Sequence, residues 1–158
     1  MRPFSSGIRF RGKQLHTTVN RSQQMAAVRR SGTNAELAVR DAARSAGLRF
    51  TVDNPDLPGS PDLANRVRRL AVFVHGCYWH RHPGCSRTTT PTTNRAFWLD
   101  KFAANRARDR RVAMALRELG YRVIVIWECR TQNRKLLARR FSRIAAEARM
   151  LGESRRRA

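Results

Sequence analysis

The chain has 158 residues, 41% of them apolar, and carries 33 Lys and Arg against 11 Asp and Glu, for a formal charge of +22. That length suits one compact domain, and the apolar content suffices for a core, so a folded middle with loose ends is expected rather than a wholly disordered chain. A basic excess this large, carried mainly by arginine, is best tolerated beside a polyanion, and nucleic acid is the expected partner.

The longest apolar runs, Leu70 to Val74 and Val123 to Trp127, fall far short of the ~20 residues that cross a bilayer. No membrane partner is expected. The basic N-terminus has no secretory apolar stretch, and a cytoplasmic, nucleoid-associated protein follows.

Residues 1–21 read as a flexible basic arm, because neither a helical nor a strand period is sustained there. Residues 22–150 form the expected domain, and 151–158 a basic tail. Thr33-Asn34-Ala35-Glu36 is a capping-box pattern that starts a helix, and Gly47 ends it. Leu48 to Val52 alternates like a half-buried strand, and the turn formers from Asn54 to Pro61 require a sharp bend. Asp62-Leu63-Ala64 and Val67 to His75 then pair as a hairpin around Asn65-Arg66, its second arm central to the sheet. After a Thr-rich loop, Asn94 is the expected cap of a long helix that runs to Leu119 and stops at Gly120, with Val112, Ala115, Leu116 and Leu119 as its core stripe. Tyr121 to Trp127 is a second buried strand, with Trp127 expected only to pack. Leu136, Leu137, Phe141, Ile144 and Ala148 mark a final amphipathic helix. One crossover helix joining two buried strands makes those strands parallel, so the fold class is α/β and layered. The sequence has no internal repeat, Gly-rich phosphate loop or heptad run.

Three of the four histidines, His75, His80 and His82, fall within eight residues that also hold Cys77. Cys85 follows closely. Three cysteines are an odd number, which suits a metal better than a disulfide framework. Thiolate and imidazole together are a zinc set, and a structural zinc takes four ligands. Cys77, His82 and Cys85 supply three. Cys129 is the expected fourth, since it follows one buried strand as Cys77 follows the other. Two alternatives stand: Cys77 and Cys129 are ordinary buried thiols, or His80 rather than His82 is the ligand.

With few acids in the chain, each one at a strand end carries information. Asp62 opens the hairpin directly after Pro61, and His75 closes its other arm. Magnesium prefers hard oxygen ligands such as Asp62. A phosphodiester cut would then use His75 or His80 to take a proton from water or assist the leaving oxygen. Glu36 either orders the metal's hydration shell or serves only as a cap.

Leu57-Pro-Gly-Ser-Pro-Asp62, Val72-Phe-Val-His-Gly-Cys-Tyr-Trp-His80, Phe97-Trp98, Asn105 to Arg110 and Gly120-Tyr-Arg-Val-Ile-Val-Ile-Trp-Glu-Cys129 together resemble the very-short-patch (Vsr) mismatch repair endonucleases. That family is a branch of the restriction-endonuclease-like PD-(D/E)xK superfamily, and the resemblance covers about residues 22–145. It implies a layered α/β/α domain with a central mixed sheet and a structural zinc. It further implies a magnesium-dependent nickase that cuts duplex DNA on the 5′ side of the thymine in a T:G mismatch. Phe73 and His75 stand where the superfamily usually has its second acid and Lys. By the same resemblance Asp62 and the main-chain carbonyl of Val74 bind magnesium, His75 and His80 are catalytic, and Glu36 supports them. Tyr78, Trp79 and Trp98 match the family's intercalating residues. Trp98 alternatively packs on its own helix. A monomer working alongside a cytosine-5 DNA methyltransferase and a repair polymerase is the implied setting. Two rival readings are a non-enzymatic zinc module that binds nucleic acid and a related nuclease with another DNA substrate.

Overall fold

A computed structural model describes residues 8–10, 13–15 and 32–157, with side chains over 32–150. In the basic arm, β1 (Ile8–Phe10) pairs antiparallel with β2 (Lys13–Leu15). The rest of the expected arm lies outside the described residues.

Helix α1 (Asn34–Ser45) starts as its capping box requires. The Thr33 Oγ accepts the Glu36 amide at 3.3 Å. The Glu36 carboxylate reaches back to the Thr33 hydroxyl at 2.9 Å and to the Gly32 amide at 2.9 Å, one residue beyond the amide expected to be its partner. Gly47, at φ 72°, ends the helix with its amide on Arg44 O and the Leu48 amide on Ala43 O, the two bonds of a Schellman cap.

The strand expected from Leu48 to Val52 contracts to a single antiparallel bridge, Thr51↔Ala64. Asn54 explains the loss. Its buried side chain donates to Thr51 O at 3.1 Å and to Pro61 O at 3.0 Å, turning the chain away from the sheet just past Thr51. β3 (Leu63–Asn65) and β4 (Leu70–His75) form the hairpin, but residues 66–69 make a wider turn than one centred on Asn65-Arg66. The Asn65 side chain stabilises it by accepting the Arg68 amide at 2.7 Å.

β4 lies centrally and pairs parallel with β5 (Arg122–Trp127), from Leu70↔Arg122 to His75↔Trp127. The result is a small α/β domain with a three-stranded mixed sheet among the described residues. A parallel register places both strand ends on one side, so the chain segments after His75 and Trp127 emerge together. The first becomes the short helix α2 (Cys77–His80) and the second a 3-10 turn (Glu128–Arg130).

Alternation along the strands divides the core. Leu63, Leu70, Val72, Ile124 and Ile126 pack with α1 and with Leu137, Phe141 and Ile144 of α4 (Arg134–Arg157). Ala64, Ala71 and Phe73 pack instead with Leu57, Tyr121 and Leu116 of α3 (Arg95–Glu118). α4 continues to Arg157, through most of the segment read as a tail.

Three expectations need correction. Leu119 and Leu136 were placed in core stripes, yet they are 51% and 54% exposed. Leu119 lies just past the last turn of α3 as its C-cap, and Leu136 is one position off the face that Leu137 fills. Asn94 occupies the cap position of α3 but has a left-handed backbone (φ 54°) and makes no side-chain cap bond. Gly120 does end α3, at φ 79°, with its amide on Arg117 O.

Candidate active site and metal cluster

A cavity of about 810 Å³ opens beside the ends of the hairpin arms, and its lining includes Glu36, Asp62, Val74, His75, His80 and Asp109. Asp62 Oδ2 accepts the Val74 amide at 2.7 Å, so the carboxylate is fixed by the strand that carries His75. Burial pushes the Asp62 carboxyl up, the Val74 bond opposes that, and the nearby Glu36 charge adds to the rise. Two crowded carboxylates, one of them destabilised as an anion, are an arrangement that a divalent cation relieves. Glu36 caps α1 and also lines this cavity. Arg40 Nη2 stands 3.6 Å behind it.

The His75 and His80 rings stack at 3.9 Å with 13° between their planes. Burial, reinforced by the His80 charge, drops His75 to about 4, so it is neutral at ordinary pH. His80 Nδ1 lies 2.6 Å from Asp109 Oδ2. A carboxylate only accepts, so Nδ1 carries the proton and the Nε2 of the neutral ring keeps its lone pair. Asp109 had been passed over within the Asn105 to Arg110 segment. Its one sequence signal is that it is an isolated acid among arginines on a helix, and only the fold brings it to a histidine 29 positions earlier.

Cys77, His82, Cys85 and Cys129 converge, each offering a ligand atom within 4.8 Å of the others. His82 Nδ1 is 3.6 Å from Cys77 Sγ and 3.3 Å from Cys129 Sγ. In a tetrahedral site with bonds of about 2.3 Å to sulfur and 2.0 to 2.1 Å to nitrogen, those atoms sit about 3.5 Å apart, so the donors fit. Burial, and after it the side-chain contacts with Cys129 and Cys85, push the Cys77 thiol up to about 12. A cation stabilising the thiolate would reverse that shift. The four side chains form a candidate metal-binding group, and His82 rather than His80 lies in it. Trp127 packs as expected, and against two imidazoles. Its ring stacks on His82 at 4.3 Å and meets His75 edge-on at 5.5 Å, linking the Cys/His cluster to the imidazoles of the cavity.

Tyr78 and Trp79 of α2 meet Trp98 of α3 at centroid distances of 5.9 and 6.1 Å. Phe102 supports the group, 5.3 Å from Tyr78. All three rings are half-buried, and the Lys101 ammonium lies 5.3 Å from Trp79 and 5.4 Å from Trp98. Asn105 ties the two helices by donating to Trp79 O at 3.1 Å. Trp98 therefore shares its ring with the other two while also packing on its own helix.

A basic α/β domain with carboxylates and paired imidazoles on one cavity has the groups needed for phosphodiester hydrolysis. Residues 13–87 match the family described as DNA mismatch endonuclease Vsr. The chain is 43% identical over 120 residues to the type II nicking enzyme V.XorIIP of Xanthomonas oryzae pv. oryzae, covering 76% of this chain and 88% of that one. It is 38% identical over 123 residues to the DNA mismatch endonuclease Vsr of Escherichia coli K12, 78% of each chain. It is 32% identical over 133 residues to the type II nicking enzyme V.NmeAIP of Neisseria meningitidis, covering 84% and 94%. The chain belongs to the Vsr family, and its activity is that of a DNA mismatch nicking endonuclease.

Proposed function

We propose that the protein nicks one strand of duplex DNA on the 5′ side of the thymine in a T:G mismatch, by magnesium-dependent hydrolysis. The observation that carries this reading is the His80–Asp109 pair, 2.6 Å apart and stacked against His75, in one cavity with Asp62. Asp62 and the Val74 carbonyl are the residues to hold magnesium, which when bound supplies Lewis acidity at the scissile phosphate. Asp109 fixes the His80 tautomer so that Nε2 takes the proton of the attacking water. His75, kept neutral by burial, donates a hydrogen bond toward the departing oxygen. Glu36 orders the hydration around Asp62.

Tyr78, Trp79 and Trp98 enter the base stack at the mismatch, where a mispaired step opens more cheaply than a paired one. Zinc is the ion for Cys77, His82, Cys85 and Cys129, because a set of three thiolates and one imidazole at tetrahedral spacing selects it. It holds α2 to the end of β5. The two-sided core supports a restriction-endonuclease-like α/β/α layering. We further propose a monomer acting in the cytoplasm on nucleoid DNA, in company with a cytosine-5 methyltransferase and a repair polymerase.

Asp62→Asn and His80→Ala test the chemistry. Both are expected to lose nicking, His80→Ala by about 10²- to 10⁴-fold as for a general base. Zinc content and mismatch binding should persist in each. Full nicking by Asp62→Asn, or nicking by the unaltered protein without a divalent cation, would overturn the proposed mechanism.

A further inference from the structure

Helix α3 runs past two cavities, and its arginines divide between them. Arg117 borders the cavity that holds Asp62, Arg106 borders a second one of about 740 Å³, and Arg110 borders both. His75, His80 and Asp109 line the two alike, so the imidazoles stand where the cavities meet. At 3.6 residues per turn, Arg106, Arg110 and Arg117 fall within about 40° of one another around the helix, and at 1.5 Å per residue they extend over about 16 Å. All three are exposed, and none has a hydrogen-bond or ion-pair partner among the described residues. Arg108, by contrast, is engaged with Asp109 at 3.5 Å.

A row of unpartnered guanidiniums on one helix face, passing the groups that do the chemistry, fits a run of phosphates rather than a single one. Its length corresponds to about four or five nucleotides, at roughly 3.4 Å of rise for each nucleotide of one strand.

The helix also gives that run a direction. Trp98 lies in its first turn with Tyr78 and Trp79 against it, and Arg106 falls between this aromatic group and Asp109. In the proposed function the aromatic group opens the stack at the mispaired thymine, and the cut falls on the 5′ side of that base. The strand leaving the cut toward the thymine therefore passes Arg106, and the strand leaving the other way passes Arg117.

We infer that these two arginines hold the backbone of the nicked strand on opposite sides of the cut, Arg106 a phosphate on the 3′ side and Arg117 a phosphate on the 5′ side. The polarity rests on the proposed function, whereas the phosphate contacts do not. Two contacts on one strand, with the imidazoles between them, present that strand rather than its complement for cutting.

Equilibrium binding to a T:G duplex without divalent cation tests the assignment, with single phosphates of either strand replaced by uncharged methylphosphonates. Arg106→Gln and Arg117→Gln retain good helix formers, and thermal unfolding checks that each variant is folded. With the unaltered protein, a neutral linkage on either side of the thymine's 5′ phosphate, in the thymine's strand, should weaken binding by about tenfold, as for a lost hydrogen bond to a charged group. Arg117→Gln should abolish the penalty on the 5′ side and keep the one on the 3′ side, and Arg106→Gln should do the reverse. Each variant should also flatten the slope of log K against log[salt] by about 0.9, the share of one phosphate. Penalties that survive both substitutions, a reversed assignment, or couplings confined to the complementary strand overturn the inference. The nick is mapped on the same unmodified duplex: cutting elsewhere than 5′ of the thymine counts against the proposed function, while the couplings still decide the contacts.

Discussion

At the scale of single residues, the most informative side chain is Asp109, which the sequence hid. An acid flanked by arginines on a helix reads as surface charge pairing. Its partner His80 is distant in sequence, so no local spacing could expose the pair. That Asp62 and His75 meet at one cavity, and that Cys77 and Cys129 converge, could be read in advance because each sits at or just past a strand end. Asp109→Asn keeps the shape of the contact but can present a donor to Nδ1 and so favour the wrong tautomer. Nicking is expected to fall by about 10- to 100-fold, the loss typical when a partner that orients an imidazole is removed. A kinetic comparison with unaltered protein at saturating magnesium checks this, with thermal unfolding as the control for folding. Thr33→Ala removes the cap that holds Glu36, and it should cost about 1 kcal/mol of stability by denaturant titration.

Among the elements, what could be read and what could not have different physical origins. α1, β4, β5 and α3 announce themselves because helical periodicity, apolar runs and terminal glycines all agree. The failed strand at Leu48 to Val52 had the right alternation, but Asn54 competes for the backbone groups a strand would need, and side-chain competition of that kind is not periodic. The bend from Asn54 to Pro61 brings Gly59 against α3. Gly59 has φ 71°, and an added Cβ would lie 2.4 Å from Val112 Cγ1. Gly59→Ala therefore combines a left-handed backbone with overpacking and should destabilise by about 2 to 4 kcal/mol, read as a shift in denaturant midpoint. Phe141, fully buried between α4 and the sheet, should cost about 3 to 5 kcal/mol when cut to Ala.

For the whole molecule, the parallel register of β4 and β5 is the decision from which the site follows. It delivers His75 and Trp127 side by side, then Cys77 and Cys129 soon after, so one Cys/His cluster, one stacked tryptophan and two imidazoles gather at the same end of the sheet. Sequence predicted that adjacency correctly from strand order alone. It could not supply the role of Trp127, which depends on ring geometry. The charge of +22 belongs to this scale as well, since arginines from α3 such as Arg108, Arg110 and Arg117 border the cavity. Binding to duplex should accordingly weaken steeply with salt, with a slope of log K against log[salt] of about −0.9 per phosphate contacted.

The most direct measurement of the central claim is a strand-resolved nicking assay on two duplexes that differ only in one base, giving a T:G mismatch in one and a matched pair in the other. With magnesium present, the account predicts a single nick on the 5′ side of the mispaired thymine and an intact opposite strand, with the matched duplex left whole. Equal cutting of both duplexes, or cutting of both strands at the mismatch, would contradict it.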